Sequence, residues 1–371
     1  MKKIALITER LKQGFGVDNV VNEQANLLSD KYKVVVFAID IDNNFVKNAK
    51  YAIYKLNIPL SFNPVKQDLI SYIKFKDYNH FFKLFDTFII HTPTFNSWSP
   101  LLCKLGKLIT YYYGNSPSYG YRFPNNLRKN IYDTSENGFY FNFSEHIFTI
   151  SNFLKNQLPK RFQNKTIVNY LGKEHISRVK NSITSNDLIE FKKKYFIKDN
   201  EIIFTYVGRL DYKNNPYKNT MQLLKINSFF KKKLKNKFRL ITIGIPENNI
   251  EKEFFSNGVS VISNASNQQL VCSYLLSKVY LTPSLWEGFN LPLLEAQALG
   301  LPVVAYDIGA HNELVNNGKT GFLVNNFSQF LKKLLLLSNN NPLRDKLSYE
   351  AKINSNNFSW DKNVRLLNKY L

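Results

Sequence analysis

Short apolar runs bounded by turn residues alternate along this chain with segments of helical period, which restricts it to parallel sheets covered by helices. The expected fold class is α/β. In the first half, strands are expected at residues 4–8, 34–39, 87–91, 108–112 and 147–150, with a helix over 19–28 carrying Val20, Val21, Ala25, Leu27 and Leu28. The opening unit is β-loop-α-β, a Rossmann-like start. Between residues 180 and 200 the apolar pattern lapses into polar and charged residues. A second array then follows, with strands expected at 202–207, 240–243, 259–262, 279–282 and 302–306 and helices at 268–276 and 292–299. The segment 360–371 sets Val364, Leu366, Leu367 and Leu371 near one helical face and suits a closing helix.

These patterns divide the chain into a Rossmann-like domain over 1–178, a linker over 179–199 and a second Rossmann-like domain over 200–355. A C-terminal helical segment over 356–371 is expected to pack back toward the first domain. Two such domains are expected to face a central cleft lined by the carboxyl ends of their strands, where ligands bind in sheets of this kind.

At 371 residues, 44% hydrophobic and 15% aromatic, the chain can bury substantial cores, which excludes global disorder. Its 50 Lys and Arg against 28 Asp and Glu leave a formal charge of +22, which favours nucleic acid, an anionic lipid surface or a phosphorylated substrate. The abundance of Asn, Lys, Ile, Tyr and Phe also fits coding biased toward A and T, in which case part of that charge has no function. Cys103 and Cys272 are too few and too far apart for a disulfide framework or a zinc cluster, so a reducing compartment and no structural metal are expected. Glu9 and Arg10 cut the first apolar run short of a signal peptide, and Lys332 and Lys333 break the run from Leu331 to Leu337. A soluble or peripheral, cytoplasmic protein is the expectation.

The most informative segment runs from Ser284 through Trp286, Glu287, Gly288, Phe289, Asn290, Leu291, Pro292 and Glu295 to Gly300. It reads as a strand end, a glycine-containing loop and a helix, with Pro292 as the first helical residue and Gly300 as the left-handed stop. The loop from Gly288 to Leu291 would present backbone N–H groups at a helix N-terminus, which attracts phosphate and other oxygen-rich groups. A second constellation follows the strand at 202–207, where Gly208 and Arg209 precede Lys213 and Lys218. After the first strand, Gly14 and Gly16 allow close backbone approach to a phosphate or sugar.

Taken together, Glu287, the Gly-Phe-x-Leu-Pro core and Glu295 resemble the signature of retaining family-4 glycosyltransferases, the glycosyl transferases group 1, of GT-B fold. The resemblance continues through Gly309, Glu313 and Gly321. It implies that Glu295 hydrogen-bonds the ribose of a nucleotide donor and that Glu287 lies against the transferred sugar. Carboxylates suit both tasks because they accept from paired hydroxyls. It further implies that Arg209 and a following Lys bind the donor diphosphate and neutralise the departing nucleotide, so that no metal or other cofactor is needed. Lys213 and Lys218 stand four and nine residues after Arg209, against a usual gap of about five in the family. Lys213 is slightly preferred, and Lys218 remains open.

Many members carry a His at the end of a first-domain strand, where this chain has Tyr113; Tyr113 and His91 are the candidate sugar or acceptor contacts. Ser151 reads as a local helix cap, and the loop 263–266 as a contact for the nucleotide base. The implied activity is transfer of a hexose-type sugar from a UDP- or GDP-sugar to a glycan or lipid-linked acceptor, with an anionic membrane surface as a further partner. The alternative is a basic nucleic-acid-binding protein without catalytic activity, suggested by the charge and by Tyr111 to Tyr113. No helix-turn-helix, RRM or zinc-finger pattern supports it, and no nucleic acid is expected as a partner. The Glu287 and Glu295 signature speaks against an epimerase. The lack of a pyridoxal-phosphate lysine motif speaks against a glycan phosphorylase.

Overall fold

The computed structural model of the chain describes residues 1–61, 63–117, 139–245 and 250–371. Its described residues form two compact units, one from Met1–Gly172 together with Trp360–Leu371, the other from Lys173–Ser359.

The first unit is built on a seven-stranded sheet of order β3-β2-β1-β4-β5-β6-β7, parallel throughout. Its strands are β1 Lys3–Leu11, β2 Lys33–Ile41, β3 Ala52–Lys55, β4 Thr87–Ile90, β5 Lys107–Tyr112, β6 His146–Thr149 and β7 Thr166–Val168. The central β1 is apolar on both faces, with Ile4, Ala5, Leu6 and Ile7 fully buried. One face takes the helix Gly16–Leu28 through Val21, Ala25 and Leu28. The other takes Pro64–Phe82 through Phe75, Tyr78 and Phe82. Two strands were not expected, β3 and β7. Both are short edge strands without a buried run, Ala52–Lys55 having no buried residue and Thr166–Val168 having only Thr166, so no apolar run marks them.

The second unit has a six-stranded parallel sheet of order β10-β9-β8-β11-β12-β13. It comprises β8 Ile202–Val207, β9 Phe238–Gly244, β10 Ser260–Ser263, β11 Val279–Thr282, β12 Val303–Tyr306 and β13 Gly321–Val324. The strands β8 and β11 have the expected bounds, while β13 was not expected. The stretch 179–199, expected as a linker, falls within the second unit and is largely helical, in Glu174–Ser182 and Ser185–Lys194. Only Ile176 and Phe191 of these two helices are buried, so the sequence shows little apolar period there. The Thr184 hydroxyl instead starts the second helix by accepting from the Asp187 N–H in a capping box.

The helix Trp360–Asn368 belongs to the first unit and buries Trp360, Asn363, Val364 and Leu367. Asn363 is tied in by polar contacts. Gln24 Nε2 donates to its Oδ1 at 2.8 Å, Asn169 Nδ2 donates to its carbonyl at 3.2 Å, and its own Nδ2 donates to the Tyr170 carbonyl at 2.8 Å.

In both sheets the strand order reverses beside the first strand of the unit, between β1 and β4 and again between β8 and β11. Within each sheet taken by itself, the loops leaving the carboxyl ends of those strands are where a parallel sheet of this order takes a ligand. The candidate residues cluster on those loops.

Candidate functional site

In the second unit, β8 ends at Gly208, whose N–H donates to the Ile243 carbonyl at 2.9 Å. A Cβ on the neighbouring Gly244 would come within 2.0 Å of the Gly208 carbonyl oxygen, so glycine is required at that crossing. Arg209 follows, with its side chain exposed and Nη1 donating to Asn215 Oδ1 at 3.2 Å. Asp211 then folds the loop back, its Oδ1 accepting from the Lys213 and Asn214 N–H groups at 2.9 and 3.1 Å. That turn leaves Lys213 exposed.

Lys218 has a different setting. Its Nζ lies 2.8 and 3.0 Å from the two carboxylate oxygens of Glu287, which comes from the loop after β11. The Leu285 N–H donating to the Tyr217 carbonyl at 2.7 Å and the edge-on packing of Tyr217 against Trp286 hold the two loops together. Burial alone would lower the Lys218 pKa, but the adjoining Glu287 carboxylate outweighs it, and the ammonium is held above its ordinary value. Of the two lysines, the structure brings Lys218 to Glu287 and leaves Lys213 in solvent.

The Glu287 backbone is pinned as well, its carbonyl accepting from the Ala310 N–H at 3.1 Å. Gly309 at φ +55° passes so close that a Cβ there would lie 2.3 Å from that same oxygen. Asn290 begins the helix Leu291–Ala298 from the left-handed region, at φ +76°, and its Oδ1 accepts from the Leu293 N–H at 3.3 Å. Its Nδ2 faces His311 Nε2 at 2.9 Å, while His311 Nδ1 lies 2.8 Å from the Tyr306 carbonyl. A carbonyl only accepts, so the His311 proton sits on Nδ1 and Nε2 accepts from Asn290. Burial lowers the His311 pKa and keeps the ring neutral. Pro292, expected first in the helix, stands second. The side chains of Phe289 and Leu291 are buried.

Glu295, one turn into the helix, is buried and accepts from two side chains, His175 Nε2 at 2.8 Å and the Tyr274 hydroxyl at 3.0 Å. In the loop 263–266, Ser266 is occupied as the cap of the helix Asn267–Leu276. Sequence reasoning missed His175, Tyr274 and His311 as members of this site. His175 and Tyr274 lie in no short motif, His311 lies within the run from Gly309 to Glu313 without marking itself, and only the packing of separate helices brings them to Glu295 and Asn290.

In the first unit the loop after β1 places Gly14 at φ +87°, a conformation that favours glycine, and Gly16 at the start of its helix with open space where a Cβ would be. Asp18 holds this loop, its Oδ2 accepting from the Lys12 N–H at 2.9 Å and lying 3.5 Å from Arg10 Nε. Burial pushes the Asp18 pKa up to about 7, against the opposing pull of Arg10. His91 and Tyr113, from the ends of β4 and β5, meet through Nδ1 and the hydroxyl at 2.8 Å. Tyr111 stacks on the His91 ring at 4.7 Å. Burial drives the His91 pKa down to about 3, so His91 is a neutral ring inside the sheet's end. Ser151 caps its helix as expected, accepting from the Leu154 N–H.

Against this geometry, residues 187–354 match the family described as glycosyl transferases group 1. The match lies within the second unit. Over 232 residues the chain is 28% identical to an uncharacterized glycosyltransferase of Methanocaldococcus jannaschii, covering 60% of this chain and 57% of that protein. Over 214 residues it is 28% identical to the poly(ribitol-phosphate) alpha-N-acetylglucosaminyltransferase of Staphylococcus aureus, covering 57% of this chain and 36% of that protein. The matches thus span less than two thirds of these relatives. The crystal structure of Anabaena HepE in complex with UDP and glucose superposes with a TM-score of 0.77 over 100% of this chain and 99% of that one, at 14% identity. That likeness concerns the fold. The two units have the GT-B fold of two Rossmann-like sheets.

Proposed function

We propose that this protein is a retaining, metal-independent glycosyltransferase that moves a hexose-type sugar from a UDP- or GDP-sugar to a glycan or lipid-linked acceptor in cell-surface polysaccharide or glycoconjugate synthesis. The observation that carries the reading is the Lys218–Glu287 pair beside Arg209, set at the strand-order reversal of the unit that holds the group 1 match. Arg209 and Lys218 supply positive charge for a diphosphate leaving group, which is where negative charge grows in the transition state. Glu287 accepts from sugar hydroxyls, and Glu295 from the ribose. In the transfer, the bond between the anomeric carbon and the phosphate oxygen breaks while the acceptor oxygen bonds that carbon on the same face. The acceptor's proton passes to the departing phosphate. UDP is the favoured nucleotide because HepE, of the same fold, was crystallised with it.

An anionic membrane is the proposed site of action, at the cytoplasmic face. No helix among the described residues is long and apolar enough to cross a membrane. The helix Pro64–Phe82 has a second, outward stripe of Leu69, Tyr72 and Ile73, between 51% and 59% exposed, flanked by exposed Lys66, Lys76 and Lys83. Exposed apolar residues among these lysines favour an anionic lipid surface, although Asp77 on the same helix is also exposed and pairs with Lys74. Flotation with anionic and neutral vesicles tests this, and equal recovery without lipid in both would refute it.

Thermal unfolding with UDP, GDP, ADP and their sugar conjugates in EDTA tests the main reading, since a ligand that binds only the folded state raises the melting temperature. A selective shift with one nucleotide is expected, abolished by Glu295→Ala and by Arg209→Ala. No shift with any nucleotide, while nucleic acid stabilises the chain, would replace this reading.

A further inference from the structure

Both oxygens of the Glu295 carboxylate already hold a protein donor. His175 Nε2 lies 2.8 Å from Oε1 and the Tyr274 hydroxyl 3.0 Å from Oε2. A carboxylate only accepts, so the His175 proton sits on Nε2, and the Tyr274 hydroxyl donates to Oε2, the nearer and charged one of its two acceptors, with the Pro292 carbonyl at 3.2 Å. The three groups come from three separate helices, Glu174–Ser182, Asn267–Leu276 and Leu291–Ala298. Tyr274 is fully buried and the Glu295 side chain is 5% exposed, whereas the His175 side chain is 14% exposed and stands at the rim.

A carboxylate presents about four acceptor positions. Two are taken here, one on each oxygen, and the remaining two can meet a pair of neighbouring hydroxyls. Imidazole suits this arrangement better than a longer cation. A guanidinium would bind both oxygens in parallel and compete with the ligand, whereas Nε2–H fixes one oxygen and leaves its second lone pair free. Holding a carboxylate within a few tenths of an ångström of its working position requires such supporting donors.

We propose that His175 is a positioning residue that, with Tyr274, orients the Glu295 carboxylate to grip the ribose hydroxyls of the nucleotide donor and so sets selectivity for ribonucleotides over deoxyribonucleotides. This rests on the reading of Glu295 as the ribose contact. In this role His175 acts through Glu295. Its removal therefore changes how much a ribose hydroxyl contributes to affinity and leaves the contribution of the phosphates alone.

The test is calorimetric titration of the full chain with UDP and 2′-deoxy-UDP, or with GDP and 2′-deoxy-GDP if thermal unfolding selects guanine. Wild type, His175→Phe and His175→Gln are compared. Phenylalanine keeps the ring and removes the donor; glutamine places an amide N–H near the position of Nε2. Wild type is expected to bind the ribonucleotide at least tenfold more tightly than its deoxy counterpart. His175→Phe should lose most of that ratio by weakening ribonucleotide binding alone, and His175→Gln should restore it. If the phenylalanine variant does not fold, His175→Ala takes its place with the same expectation. Equal weakening toward both nucleotides, or an unchanged ratio, overturns the role of His175 while leaving the glycosyltransferase reading intact. A wild-type chain that binds no nucleotide overturns both.

Discussion

Lys218 and Glu287 show how a pair of residues can be chosen by packing when spacing leaves two candidates. The sequence offered both Lys213 and Lys218, with a slight preference for Lys213. The Asp211 turn sends Lys213 outward, and the contact between Tyr217 and the loop after β11 carries Lys218 to the carboxylate. Lys218→Ala is expected to weaken donor binding at least tenfold and Lys213→Ala less than threefold, measured by titration with UDP. Equal losses would return Lys213 to the site. Lys218→Ala also leaves Glu287 buried without its cation, at a stability cost of about 3 kcal/mol, the low end for a broken buried pair. The Lys218 pKa is raised, so the pair's contribution is complete below about pH 10 and is lost only as the pH rises through the folded value.

Two residues of the first unit titrate with opposite effects on stability. Asp18 is raised by burial from 3.8 to about 7, so between those values the folded chain holds a proton that the unfolded chain has released, and stability falls as pH rises. His91 is lowered by burial from 6.5 to about 3, so between those values the unfolded chain holds the extra proton, and stability rises with pH. Over the shared window the two slopes offset each other. Asp18→Asn removes the first, so relative to wild type it should gain about 1 kcal/mol per pH unit as pH rises from 4 toward 7. Chemical denaturation at half-unit pH steps measures the difference. A difference that does not change with pH would show that Asp18 is ionised in the folded chain throughout.

At the scale of elements, what could be read in the sequence followed length and amphipathic contrast. The strands β8 and β11 had their bounds because turn residues enclose buried apolar runs. The two helices at 174–194 did not register because Ile176 and Phe191 alone are buried and capping starts the second helix. The loop from Glu287 to Asn290 was legible as a helix N-terminus, but its support was not, since His311 lies twenty-one residues further on. That support has a definite polarity. Asn290 donates to a histidine nitrogen that can only accept, because the other nitrogen donates to the Tyr306 carbonyl. Asn290→Asp keeps the helix cap but opposes two acceptors, which is expected to cost about 1–3 kcal/mol at pH 8. Part of this should return near pH 5, where protonation of the new carboxyl supplies the missing donor. Denaturation at the two pH values distinguishes this from a simple loss of capping, whose cost would be the same at both.

At the scale of the molecule, the chain returns to its first unit after completing its second, and the last twelve residues do more than cover a surface. Asn363 completes a buried polar network in which Gln24 and Asn169 each donate to the Tyr111 hydroxyl, at 2.8 and 3.0 Å, and also reach Asn363. Tyr111 in turn stacks on His91. The periodicity of Val364 and Leu367 made this helix legible, whereas the network depends on residues from positions 24 to 363 and left no local mark. Deleting residues 360–371 would take Asn363 from Gln24 and Asn169 and bare to water the apolar surface that Trp360, Val364 and Leu367 cover, at a cost of roughly 25 cal/mol for each Å² uncovered. Amide hydrogen exchange is therefore expected to accelerate in β1, β5 and the helix Gly16–Leu28, while β8 to β13 keep their protection and the second unit still binds nucleotide. Unchanged exchange in the first unit would show that its sheet stands without the returning helix; loss of protection in both units would show that the chain unfolds as one.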